Sequence, residues 1–314
     1  MVTGATGFVG SHLTAGLRRH GVDVTALIRE GSDPWRLRAL EVEVEADQRP
    51  VDLVESDIEA LSRLVDGADS VFHLAAAGVD PREDDPATLL ATNVGAALNV
   101  LQAAVAARVR RVVLCGSCFE YGSGLRVGED APLRPATEYG ATKAAAWLVG
   151  RAFARRHPVE VTALRPFSVY GPLERADRLV PHVVACGLAG RAPQLTAGDQ
   201  ERDFVFVDDV VEALATAATA PAVDGEVFNV CTGTATSVRR LAEDVVARTG
   251  SSAPPQFGRR PLRATDDGVL TGDPAKALDR LGWVATTPLR DGLARTIDWA
   301  TRHPVGTAHE VARG

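Results

Sequence analysis

Cysteine is scarce: four residues in 314, at 115, 118, 186 and 231. That is too few for a disulfide scaffold and fits a reducing, cytoplasmic setting. No apolar run reaches about 18 residues and no basic segment leads the chain, so neither a membrane span nor a secretory signal is expected. Positive charge is also short. Thirty-four Lys and Arg face 41 Asp and Glu, a net charge of -7, which argues against binding nucleic acid through a general basic surface. An anionic ligand then needs a few locally placed arginines. No second Cys or His pair at metal spacing accompanies Cys115-Gly116-Ser117-Cys118, so neither zinc nor redox chemistry is read from that pair and no metal is expected.

What is present is a globular composition, 46% hydrophobic and 24% charged, long enough for one large domain or two smaller ones. The chain is organised around Thr3-Gly4-Ala5-Thr6-Gly7-Phe8-Val9-Gly10. Three glycines at a spacing of three, between an apolar start and a helix-like stretch, read as strand, tight turn and helix. Glycine lets backbone N–H groups approach a phosphate, and the helix N-terminus behind it suits a pyrophosphate. Gly4, Thr6, Gly7, Phe8, Val9 and Gly10 are therefore candidate dinucleotide contacts. The strand before them is short, with only Met1-Val2-Thr3 ahead of Gly4.

Apolar runs alternate with helix-like stretches through the first two thirds, which predicts β-α-β units and a doubly wound parallel sheet. Strands are expected at 22–28, 51–55, 71–74 and 111–114, and helices at 11–20, 93–108 and 139–156. The second strand ends Leu27-Ile28-Arg29, without the carboxylate that holds the ribose hydroxyls of NAD. Arg29 suits a 2′-phosphate, which favours NADP(H) over NAD(H). Small residues at 75 to 78 let the chain pass close to a cofactor, and His73 reads as a packed strand-end residue, not a base.

Ser117 follows a parallel strand, on the edge where such sheets carry ligands. Tyr139 and Lys143 are four apart on one helix face. An ammonium and a cofactor beside a phenol favour its charged form and lower its pKa toward neutrality, which makes Tyr139 a usable acid or base.

Together these motifs resemble the extended short-chain dehydrogenase/reductases, the group of NAD(P)-dependent nucleotide-sugar epimerases, dehydratases and reductases. The glycine loop, His73-Leu74-Ala75-Ala76, Asn93-Val94-Gly95, Tyr139-x-x-x-Lys143, Leu164-Arg165-Pro166-Phe167-Ser168-Val169-Tyr170-Gly171-Pro172 and Arg202-Asp203-Phe204 stand in the family's order. So do Gly258-Arg259-Arg260-Pro261, Asp273-Pro274-Ala275-Lys276 and Leu281-Gly282-Trp283. The resemblance implies a Rossmann doubly wound parallel sheet with a smaller mixed α/β C-terminal substrate-binding lobe. Residues 1–171 would form the dinucleotide-binding domain, with 204–234 returning to it, and 172–203 and 235–314 the nucleotide-sugar-binding lobe.

It also implies a catalytic triad of Ser117, Tyr139 and Lys143. Further cofactor contacts would be Asp57, Ile58, Leu74, Ala75, Ala76, Asn93 and Pro166, and substrate contacts Ser117, Cys118, Phe119, Ser168, Arg202 and Arg260. Two departures matter. The Asp-Glu pair of the family's 4,6-dehydratases is Cys118-Phe119 here, which disfavours water elimination. Ser168 stands where the family has asparagine. Glu120 is adjacent, but strand alternation would turn it away from the Phe119 side. Arg29 with the Gly-Ser-Cys-Phe-Glu-Tyr-Gly stretch favours an NADPH-dependent reductase of a nucleoside-diphosphate 4-keto-6-deoxyhexose, like 4-ketoreductases of deoxysugar pathways. An NAD-dependent 4-epimerase is the alternative, and a catalytically silent NADP(H) sensor with a protein partner comes third. The family's pairing implies a homodimer through a four-helix bundle built on 93–108 and 139–156.

Overall fold

The structure, a computed structural model, describes residues 1–42, 48–79, 85–262 and 268–303. Seven parallel strands form the central sheet, in the order Val227–Val230, Glu160–Pro166, Arg111–Cys115, Ser70–His73, Val2–Thr3, Ala26–Ile28 and Gln48–Pro50. The chain builds outward from Val2–Thr3 in one direction and then returns to its other side with Ser70–His73. That reversal opens a crevice at the carboxyl ends of these strands, where doubly wound sheets bind ligands.

The sheet is covered on both faces, so its inner strands carry a mainly apolar core: Val71, Val112, Val161 and Leu164 are fully buried. Helices Phe8–Arg19 and Val207–Thr219 cover one face through Leu13, Val210 and Leu214. Helices Ile58–Val65, Ala96–Ala106 and Glu138–Ala154 contribute Leu61, Leu101 and Trp147 to a second core.

Several boundaries differ from the sequence expectation. The first helix starts at Phe8, inside the glycine motif, because glycine at 10 packs against the loop without displacing it. The second strand covers only Ala26–Ile28. The third is Gln48–Pro50, ahead of the expected 51–55, where Asp52 instead makes a turn by accepting the N–H groups of Val54 and Glu55. Pro86–Leu90 runs through a π-helical turn, Ala91–Gly95, into Ala96–Ala106. This segment of 21 residues, with an 18-residue window at a mean hydropathy of 1.5, is long and apolar enough to cross a membrane by length and composition. The sequence reading expected no such stretch. Its inward face, with Ala96, Val100, Leu101 and Ala104, is buried in the protein.

A smaller mixed sheet has the order Thr236–Ser237, Glu201–Arg202, Val269–Gly272 and Gly124–Val127, with one antiparallel pair. Ser168–Tyr170 and Phe204–Phe206 form a separate parallel pair. Helices Leu179–Leu188, Val238–Arg248 and Leu289–Arg302 pack Val183, Val245 and Leu293 around Tyr170 and Phe206. Residues 263–267 and 304–314 of the expected lobe lie outside the described residues.

Candidate active site

Gly4 leaves the first strand at φ 68°, and a Cβ there would sit 2.6 Å from the Ala75 nitrogen. A Cβ on Gly10 would sit 2.1 Å from the Gly4 carbonyl oxygen. Only hydrogen fits either place. Gly7 donates its N–H to the Gly4 carbonyl over 2.9 Å, closing the turn. Helix Phe8–Arg19 then begins with no side-chain cap and no acid in its first turn. The N–H groups of Phe8, Val9 and Gly10 thus have no intrahelical partner, and the helix dipole adds to them. This cradle fits a dinucleotide diphosphate. Arg36 pins the loop from outside, donating to the carbonyls of Thr6 over 3.4 Å and Leu173 over 2.9 Å.

The other expected cofactor contacts surround this cradle or support it. Leu74, Ala75 and Ala76 follow Ser70–His73 and are half-buried. Arg29 is exposed directly after Ala26–Ile28. Asp57 caps helix Ile58–Val65, its carboxylate accepting the Ala60 N–H over 2.7 Å. Asn93 lies in the π-helical turn, a feature frequent at functional sites. Its side-chain oxygen accepts the Ala77 N–H over 2.8 Å, and its N–H groups donate to the Ala77 carbonyl and the Thr142 hydroxyl. Pro166 ends the strand Glu160–Pro166 opposite Val230.

Tyr139 and Lys143 lie in helix Glu138–Ala154, whose N-cap Thr137 accepts the Gly140 N–H over 3.0 Å. Ser117 is the N-cap of the short 3-10 turn Cys118–Glu120, its hydroxyl accepting the Phe119 N–H over 3.2 Å. The phenol and this turn meet: the Ser117 hydroxyl acts to lower the Tyr139 pKa, and the rings of Phe119 and Tyr139 lie edge to face at 6.3 Å. Lys143 is 6% exposed, with no hydrogen bond or ion pair to any described residue. Its charge acts on His73 and Cys115, at the ends of the adjacent strands. An ammonium with no partner among the described residues suits the ribose hydroxyls of a bound dinucleotide.

The phenol differs from the expected lowering. Burial, the largest influence, pushes the Tyr139 pKa up, and the Ser117 hydrogen bond only partly offsets it. Desolvation disfavours the anion, and Cys115, Cys118 and Glu120 act in the same direction, so the phenol holds its proton. His73 behaves as a packed residue. One ring nitrogen meets the Thr3 hydroxyl at 2.9 Å, the other is buried without a partner among the described residues, and burial pushes its pKa down to about 3.

Of the expected substrate contacts, Cys118 is buried and Phe119 half-buried beside Ser117. Burial raises the Cys118 thiol to about 12, while the Arg202 charge acts in the other direction. Arg202 also donates to the carbonyls of Glu201 and Gly268. Ser168 is half-buried and donates its N–H to the Asp203 carbonyl. Arg260 is exposed, and its charge acts on His182.

Glu120 does not sit in a strand. It closes a capping box with Ser117 and pairs with Arg165, both fully buried. Ser-x-x-Glu at 117 to 120 carried that signal.

Residues 1–231 match the NAD dependent epimerase/dehydratase family. The chain is 33% identical over 313 residues to the UDP-glucose 4-epimerase of Mycolicibacterium smegmatis, covering 95% of this chain and 97% of that one. Among solved structures it is similar to MoeE5 in complex with UDP-glucuronic acid and NAD, at 35% identity and a TM-score of 0.83, covering 96% of this chain and 98% of that one. It is also similar to the UDP-glucose 4-epimerase of Thermotoga maritima, at 28% identity and a TM-score of 0.87 with the same coverage.

Proposed function

This chain belongs to the NAD dependent epimerase/dehydratase family, and on that premise we propose that it is an NAD-dependent 4-epimerase of a nucleoside-diphosphate sugar. The observation that carries the reading is a half-buried, protonated Tyr139 against the Ser117 turn, with Lys143, which has no partner among the described residues, on the same helix and a phosphate cradle at the first strand. When bound, NAD supplies reversible hydride acceptance. Gly4, Gly7 and the N–H groups of Phe8, Val9 and Gly10 would hold its diphosphate, and Lys143 its ribose. Tyr139 holds and moves the proton of the sugar O4, while the Ser117 hydroxyl orients that oxygen. Cys118 and Phe119 offer no acid or base for water elimination, which supports epimerisation over dehydration. Arg202 and Arg260 supply positive charge for the substrate diphosphate in a chain of net charge -7.

The relatives support epimerisation over the ketoreductase reading. One observation keeps the latter in play: exposed Arg29, with no carboxylate at the end of Ala26–Ile28, suits NADP(H). The deciding experiment incubates the protein with NAD and UDP-glucose or UDP-glucuronic acid and follows the C4 epimers by NMR. Interconversion without net cofactor turnover is the expected result, and Tyr139→Phe should slow it by about 10²–10⁴-fold. Net NADPH oxidation with a nucleotide 4-keto-6-deoxyhexose, and no epimer, would overturn it.

We further propose a homodimer through Ala96–Ala106 and Glu138–Ala154. Leu90 and Leu148, each 54% exposed, lie on or next to those helices. Light scattering should give twice the chain mass.

A further inference from the structure

The turn that presents Ser117 is gripped from below by a buried hydrogen-bonded chain that the proposed chemistry does not use. One carboxylate oxygen of Glu120 accepts the Ser117 N–H over 2.9 Å; the other accepts Arg165 Nε over 2.7 Å. Arg165 also donates to the Tyr121 hydroxyl over 2.8 Å, with its guanidinium 4.7 Å from the Tyr121 ring centre. Tyr121 in turn donates to Asn229 Oδ1 over 2.8 Å. The Asn229 side chain donates to the Val127 carbonyl over 2.7 Å, and its backbone N–H to Glu129 over 2.8 Å. Glu120, Arg165, Tyr121 and Asn229 are each no more than 2% exposed.

A buried ion pair is a poor way to gain stability, because desolvation offsets much of its attraction and an apolar pair of similar volume does as well. What this pair does fix is geometry. With its backbone N–H held by Glu120 and its hydroxyl oxygen accepting from Phe119 N–H, Ser117 has its O–H hydrogen left to donate toward Tyr139 and the cleft.

We propose that Glu120, clamped by Arg165, is a positioning residue that aims the Ser117 hydroxyl at the Tyr139 oxygen and the reacting sugar oxygen. The chain through Tyr121 and Asn229 ties that aim to strand Gly124–Val127 of the smaller sheet. The inference rests on the acid–base role proposed for Tyr139.

The test uses the NAD-loaded protein with Ser117→Ala, Glu120→Ala, Glu120→Gln and the Ser117→Ala/Glu120→Ala double variant. Two readouts are taken: kcat and KM for sugar-nucleotide epimerisation, and the ultraviolet titration of the Tyr139 phenolate with Tyr139→Phe as blank. Ser117→Ala should lower kcat about a hundredfold, and Glu120→Ala at least about tenfold, with KM little changed. Both should move the phenolate titration to higher pH, and the double variant should add nothing to Ser117→Ala. Glutamine has one oxygen to share between Ser117 N–H and Arg165, so Glu120→Gln should fall between wild type and Glu120→Ala. If Glu120→Ala leaves Arg165 unpaired and does not fold, Glu120→Gln alone decides. Wild-type kcat and titration in the Glu120 variants, where Ser117→Ala moves both, overturn the proposal; so does a titration that Ser117→Ala leaves in place. Should the wild type turn over no sugar nucleotide, the function proposal fails by itself and the titration still decides this one.

Discussion

The Asn93 side-chain amide donates to the Thr142 hydroxyl over 2.9 Å, and that hydroxyl donates to the Tyr139 carbonyl over 3.0 Å. A residue of the π-helical turn is thereby bolted to the helix that carries Tyr139 and Lys143. The same amide brackets Ala77 from both sides, so it also fixes the small-residue loop beside the phosphate cradle. Asn93→Ala should leave buried polar groups unpaired and cost about 1–3 kcal/mol. The checks are urea denaturation and NAD retention through gel filtration, and both should weaken together. Unchanged stability would show that water replaces the amide.

Gly10 carries the second prediction. A methyl group there has nowhere to go but into the Gly4 carbonyl, so Gly10→Ala must push the helix away from the turn. Overpacking of this kind costs about 1–3 kcal/mol. The displacement falls on the N–H groups of Phe8 and Val9, so NAD affinity should drop about tenfold or more in a nicotinamide fluorescence titration. Gly21→Ala, where a Cβ meets nothing but the left-handed φ of 74° is strained, should lower stability and leave NAD affinity as it was.

The third concerns acid. His73 has a folded-state pKa of about 3 against an ordinary 6.5, caused first by burial and then by Lys143. Below pH 6.5 the unfolded chain takes up a proton that the folded chain refuses. Stability from this residue is therefore complete above pH 6.5 and declines as the pH falls, by at most about 1.4 kcal/mol per unit. The urea midpoint of His73→Gln should vary less with pH over that range than the wild-type midpoint. Parallel curves would remove the assignment.

Much of the dinucleotide half was legible because its signals are local. Gly4, Gly7 and Gly10 announce the turn, and Tyr139 and Lys143 share a helix face by spacing alone. Gln48–Pro50 was not legible: Gln-Arg-Pro has no β-branched or aromatic residue, and it is a strand only because the outer side of Ala26–Ile28 accepts one, at an edge where proline is tolerated. Glu120 was misplaced for a different reason. Alternation was carried past Cys115, where the strand ends, and the capping box instead wraps the chain into a turn. The upward push on the phenol was not legible because spacing shows the neighbouring ammonium but not how far the ring is removed from water.

Strand Gly124–Val127 lies before the Tyr139 helix in sequence, yet it pairs with Val269–Gly272. During synthesis it emerges long before its partner exists. At about 5–20 residues per second, the ribosome exposes that strand for roughly 7–28 s before the partner appears. Over that interval the nascent chain carries an open β-edge with Leu125, which is 68% exposed even in the finished fold. The turn of Ser117 just upstream is tied through Asn229 to the same strand, so it cannot be complete until the chain has been made a hundred residues further on.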